Sequence, residues 1–170
     1  MSAREVYRSR ATPEEIEDLL TKRLTATIGT LNEDGSIHLA YVIFLYEAGR
    51  FYCETSSLTR KARNVSTRPT ASFIVQGRVS SGRSIMAENE GTARVVEGND
   101  DRAVNRRLRA KYINGSALDR VDNAWNEFDD VAIEITAGPR WRSWCGDVFR
   151  DRTVAAMGEG AGDIWLPDDD

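Results

Sequence analysis

From residue 24 onward the chain falls into a two-residue hydrophobic period and returns to it at short, turn-punctuated intervals, which commits it to antiparallel β structure. Leu24, Ala26 and Ile28 alternate with Thr25, Thr27 and Gly29, and residues 32–35 supply a turn. Residues 37–46 are apolar on both faces, since Ile37, Leu39, Tyr41, Ile43 and Leu45 interleave with His38, Ala40, Val42, Phe44 and Tyr46. A strand of that pattern is expected to be covered on both sides. Residues 47–50 turn the chain back into a strand at 51–54. Further strands are expected at 70–76, at 84–97 with an interruption at Gly91, and around Val131, Ile133 and Ile135. The pattern predicts a mainly β fold, a closed or nearly closed antiparallel barrel with a few peripheral helices.

The helices announce themselves by their caps and periods. Thr12-Pro13-Glu14-Glu15 combines an N-cap, Pro at the first helical position and a Glu that can reach back to the cap, followed by Ile16, Leu19 and Leu20 on one face. A short helix is expected over 60–67, ended by Pro69. Asn99 is expected to cap a helix bearing Val104, Leu108 and Tyr112. After a break at Asn114-Gly115, the spacing of Val121, Ala124, Trp125 and Phe128 predicts an apolar helix face. No linker or repeat divides the chain, so residues 1–153 read as one domain, and the Gly-rich, acidic residues 154–170 as a flexible tail.

A net charge of −4 argues against a nucleic-acid binder. With two cysteines, no CxxC spacing and a single histidine, neither a zinc site nor a disulfide scaffold is supported, and no Ser-His-Asp or metal constellation can be built. The absence of an apolar leader or span points to a cytoplasmic protein away from membranes.

The stretch most suggestive of chemistry is Thr55-Ser56-Ser57-Leu58-Thr59-Arg60-Lys61-Ala62-Arg63-Asn64, which follows a strand and opens a helix. Hydroxyls, helix N-terminal N–H groups and two cations would converge there on a phosphate, with Arg60 suited to a bidentate pair and Lys61 to a compact charge. The alternative is a solvated basic helix start. His38 is a candidate for proton transfer, against the alternative of a hydrogen-bonded packing residue. Cys53 and Cys145 lack an activating base and read as small buried residues.

The order of these segments, from ATIGTLNEDGSIHLAYVIFLYEAGRFYCETSSLTRKARNVSTRPTASFIV to the later EGTARVV, resembles the pyridoxamine-phosphate-oxidase-like family of split-barrel flavin and F420 proteins over residues 24–144. That resemblance implies a homodimeric split β-barrel with each cofactor held between two subunits. By position it implies that Thr55, Ser56, Arg60, Lys61 and Asn64 bind the cofactor phosphate, and that the backbone of Leu39, Ala40, Tyr41 and Val42 lines the ring. Trp144, and less directly Trp141, matches the aromatic residue that the family sets near the cofactor from the neighbouring chain; the alternative for both is core packing. The second strand lacks the Arg and Lys, and the C-terminal region the Arg-x-His motif, of the vitamin-forming oxidases. The resemblance therefore implies an activity other than pyridoxamine phosphate oxidation. The helix start looks closer to small members that use F420, with FMN as the alternative cofactor, and Arg63 and Arg68 could meet a polyglutamate tail. The expected function is hydride transfer between that cofactor and a small organic substrate. The rival is a non-catalytic carrier or store for flavin, F420 or haem.

Overall fold

The computed structural model describes residues 10–125 and 127–158. Within them the chain runs α1 (Pro13–Thr21), β1 (Thr25–Leu31), β2 (Ile37–Ile43), β3 (Leu45–Glu47), β4 (Arg50–Ser56), α2 (Arg60–Thr67), β5 (Thr70–Arg78), β6 (Ser84–Val96), α3 (Asn99–Tyr112), α4 (Gly115–Trp125), β7 (Asp130–Ala137), β8 (Arg142–Cys145) and α5 (Asp147–Met157). Every strand pairing is antiparallel, in the order β2-β1-β5-β6-β7-β4-β3, with β8 added beside β6. The two ends of that path, β2 and β3, are consecutive in the chain and meet at fully buried Phe44, which gives an antiparallel half-barrel.

The 13-residue β6 splits the sheet. Its first part, Ile85 to Glu88, pairs with β8, and its second part, Gly91 to Val96, pairs with β7. The handover falls at Gly91, where a Cβ would lie 1.8 Å from the Thr136 carbonyl oxygen, so only glycine permits this crossing. The β3–β4 hairpin closes through Ala48 (φ 48°) and Gly49 (φ 76°), the two left-handed positions of a type I′ turn.

Alternation fills the interior. Phe44 stacks on Phe51 and Phe51 on Phe73 (centroids 5.3 and 4.2 Å), while Trp141 meets Phe73 and Tyr46 edge-on at 5.6 and 5.8 Å. Truncating Phe51 to Ala is expected to cost about 3–5 kcal/mol on the usual scale of such cavities. α1 packs Ile16, Leu19 and Leu20 into the same core, its start fixed by a reciprocal Thr12–Glu15 capping box.

Four expectations need correction or adjustment. β2 is covered on one face only: Val42 is buried, but Ile37, Leu39 and Tyr41 are 70%, 64% and 77% exposed, because β2 is an edge strand of this chain. The apolar stripe on α4 is not buried either. Ala124, Trp125 and Phe128 are exposed, and the buried residue of that helix is Asp122. Gly98 (φ 83°), not Asn99, caps α3, with no side-chain cap bond. Finally, α5 carries regular structure through Met157, past the expected domain boundary at 153, with Asp147 in its first turn accepting from the Ser84 N–H at 2.6 Å; the rest of the expected tail, residues 159–170, lies outside the described residues.

Candidate functional site: the start of α2 and the edge of β2

Thr59 caps α2, its Oγ1 accepting from the Ala62 N–H at 3.4 Å and lying 3.0 Å from Thr55 Oγ1. The same hydroxyl donates to the Ser56 carbonyl at 2.9 Å, and Ser56 Oγ accepts from the Leu58 N–H at 3.2 Å. The β4–α2 connection is thus a compact hydroxyl-lined turn, with Thr55 buried and Ser56 half-buried. Helix α2 buries Ala62, Asn64 and Val65 and packs against β1, β2 and β6.

Its first turn contains Arg60 and Lys61 and no acidic residue. Cations at a helix N-terminus oppose the macrodipole, so this arrangement costs stability unless an anion is present. Among the described residues Arg60, Lys61 and Arg63 form no salt bridge or side-chain hydrogen bond. Arg60 is exposed and Lys61 half-buried. Arg68 donates to Thr67 Oγ1 at 3.1 Å at the other end of the helix.

His38 lies within the field of both cations. Burial first, then the charges of Arg60 and Lys61, push its pKa below the ordinary 6.5, so the imidazole is neutral at pH 7. Opposite His38 on β1 is Thr30, which is buried and accepts from Asn64 Nδ2 at 3.1 Å; the same amide donates to Asn32 Oδ1 at 2.9 Å. Asn64 therefore ties α2 to the end of β1. Cys53 and Cys145 are buried free thiols, and burial pushes the Cys53 thiol up to about 12 despite nearby Lys61.

The fold thus brings His38, Thr55, Ser56, Arg60, Lys61 and Asn64 to one end of β2. Leu39, Ala40, Tyr41 and Val42 continue from there along β2, whose side away from β1 pairs with no strand among the described residues. Leu39 and Tyr41 face outward, on the same side as Ile74, Glu88 and Arg142 in the cross-strand row from Tyr41 through Thr27. Trp144 is not brought to this end. It is exposed on β8 opposite Met86, four strands from β2, or roughly 19 Å along the sheet at 4.8 Å per strand. Trp141 instead is half-buried and packs against the core.

One charged cluster escapes the sequence pattern. Arg109 on α3 is 1% exposed and bonds Glu54 (Nε to Oε1, 2.9 Å), Asp122 (2.9 Å) and Asp130 (2.8 Å), while Trp125 lies 5.0 Å from its guanidinium carbon. Burial raises the pKa of both Glu54 and Asp130, in opposition to the Arg109 charge. The cluster fixes the end of β4 from which the hydroxyl turn departs, and Ser57 Oγ donates to Asp129 just beyond it. Its members come from four separate segments, so only the placement of Glu54 directly after the apolar run Phe51, Tyr52 and Cys53 could have signalled it.

A half-barrel split at β6, with a basic helix start at the end of its edge strand, defines the split β-barrel class. The chain belongs to the pyridoxamine 5'-phosphate oxidase family, whose model matches residues 12–145. No curated protein matches it by sequence. Among solved structures it is similar to the conserved hypothetical protein Rv2991 of Mycobacterium tuberculosis, at 25% identity and TM-score 0.67, over 82% of this chain and 88% of that one. It is similar in fold to an F420 reductase (19% identity, TM-score 0.55, 77% and 98% covered). The haem storage protein HutZ of Vibrio cholerae shares that fold as well (16%, 0.61, 79% and 94%). Among the described residues no helix is long and apolar enough to cross a membrane.

Proposed function

We propose that the protein is an F420-dependent oxidoreductase, with FMN as the alternative cofactor, acting on a small organic substrate. The observation that carries this reading is the first turn of α2, where two cations without a partner among the described residues stand against the helix dipole amid hydroxyl groups. That donor set suits a phosphate, which both cofactors carry. Arg60, Lys61, Thr55 and Ser56 would hold the phosphate, and Arg63 would meet an anionic tail. The backbone edge of β2 from Leu39 to Val42 offers donors and acceptors for the ring. When bound, the cofactor supplies hydride transfer. This chain then binds, orients and shields, and neutral His38 sits where it can accept a proton at its imidazole.

The exposed apolar residues of β2 support a homodimer, because Ile37, Leu39 and Tyr41 together present a patch that a lone chain would leave wet. In that arrangement Trp144 would reach the ring from the second copy. Free buried thiols suit a reducing, cytoplasmic setting. The second strand lacks the Arg and Lys of the vitamin-forming oxidases, so pyridoxamine phosphate is not the proposed substrate.

The test mixes purified protein with reduced F420 or reduced FMN and a panel of quinones and enones. Saturable binding with accelerated cofactor oxidation supports the reading. Tight binding without acceleration makes the protein a carrier, and no binding of either cofactor removes the proposal.

A further inference from the structure

A cleft of about 420 Å³ opens where the first turn of α3 meets the start of β7. Its wall includes Glu97, Asp101, Arg102, Asn105, Asp129 and Asp130, none of which belongs to α2. Asp101 and Asn105 lie four residues apart and share a face of α3. They are 5% and 2% exposed. Asn105 Oδ1 is buried without a hydrogen-bond partner among the described residues. Asp101 accepts from the Arg102 backbone N–H at 2.5 Å and forms no salt bridge among those residues.

Buried amides are paired as a rule, so the unpartnered Asn105 oxygen beside the buried Asp101 carboxylate marks a missing hydrogen-bond donor. Charge counting agrees. The cleft holds four carboxylates and one lining cation, Arg102, while Arg109 divides its charge among Asp130, Glu54 and Asp122, so the cleft is net negative. Burial raises the Asp130 pKa against Arg109, and the like charge of Asp101 adds to the rise, so a cation between the two acids would relieve both. Among the described residues no three acidic, histidine or cysteine groups converge to cage a metal ion. An ammonium on a flexible stem spans wider spacings and brings three N–H donors.

We propose that this cleft binds a short aliphatic diamine, one ammonium donating to Asp101 and Asn105 and the other reaching Glu97 and Asp129. The site is independent of the α2 anion site. Calorimetric titration of the full chain with 1,4-diaminobutane, at constant ionic strength and without flavin or F420, is expected to show saturable one-to-one binding. Neither KCl, MgCl2 nor 1,4-butanediol should reproduce it. Asn105→Ala and Asp101→Asn are each expected to weaken binding about tenfold or more, as loss of a hydrogen bond to a charged group does. Glu97→Gln, at the exposed rim, should weaken it by about twofold. Because either buried change can disturb α3, NMR of the unaltered chain supplies a second reading: the Asn105 side-chain NH2 and the Asp101 amide should shift along the titration. No saturable heat with the diamine, equal binding with KCl or MgCl2, or saturation that leaves those two signals in place overturns the proposal.

Discussion

Arg60-Lys61-Ala62-Arg63 on α2 and Arg106-Arg107-Leu108-Arg109 on α3 are near copies in composition and opposite in circumstance. On α3 each cation has a carboxylate: Arg106 pairs with Asp119 and Asp122, Arg107 with Glu47, and Arg109 with Glu54, Asp122 and Asp130. They also lie toward the C-terminal half of their helix, where the dipole favours positive charge. On α2 the cations stand at the N-terminus with no partner among the described residues. The α3 set holds the fold together. The α2 set lowers the stability of the lone chain, and a bound anion is what would compensate it.

The largest effect that would sharpen this contrast is expected at Arg109. Replacing it with Met leaves three carboxylates around an apolar chain and should cost about 3–5 kcal/mol, as breaking a buried ion cluster does. Denaturant unfolding measures this, and a loss no greater than that of Arg60→Gln would break the comparison. Next, Lys61→Ala should weaken FMN or F420 binding by roughly 10- to 100-fold, the range for a charge-assisted phosphate contact, with the melting temperature of the cofactor-free chain unchanged or slightly higher. Fluorescence titration decides it, and unaltered affinity for both cofactors would remove Lys61 from the site.

A subtler effect concerns pH. The folded His38 pKa lies below 6.5, so the fold favours neutral imidazole; the stability this contributes is present above about pH 6.5 and is lost as pH falls through the lowered folded value. Since the chain has one histidine, a single imidazole NMR signal reports it. Its midpoint should lie below 6.5 in the free chain and rise when inorganic phosphate or FMN neutralises Arg60 and Lys61. A midpoint insensitive to both anions would place them elsewhere. The smallest effect is expected for Arg60→Glu, which should stabilise the cofactor-free chain by about 0.3–1 kcal/mol through the helix dipole alone. Destabilisation in the free chain would show that Arg60 already has a structural partner.

The sequence carried the barrel well and the charge cluster hardly at all. Alternation at Leu24 to Ile28 and at Val131 to Ile135, the Thr12 capping box and the Gly91 interruption are local signals, and each leaves its mark within a few residues. Whether Arg109 is a surface cation or a buried anchor depends on Glu54, Asp122 and Asp130, which periodicity cannot bring together. The same limit misplaced the apolar residues of β2 and α4. A run such as Ile37, Leu39 and Tyr41 shows that a face needs cover, and only the sheet order reveals that this chain does not itself provide it. At the candidate site, the basic helix start was visible because its parts are contiguous, whereas the Asn64 bonds to Thr30 and Asn32 required the packing of α2 on β1.

The crossing at Gly91 also bears on how such a chain can diverge. With Thr136 pressed against the place where a side chain would begin, any codon change there forces two strands apart at the point where the sheet changes partners. A saturation library should tolerate substitutions at exposed positions with no assigned role, such as Glu33 and Arg120, and be nearly empty at this one position. Lineages of the protein are then free to vary their outer surface while inheriting the seam unaltered.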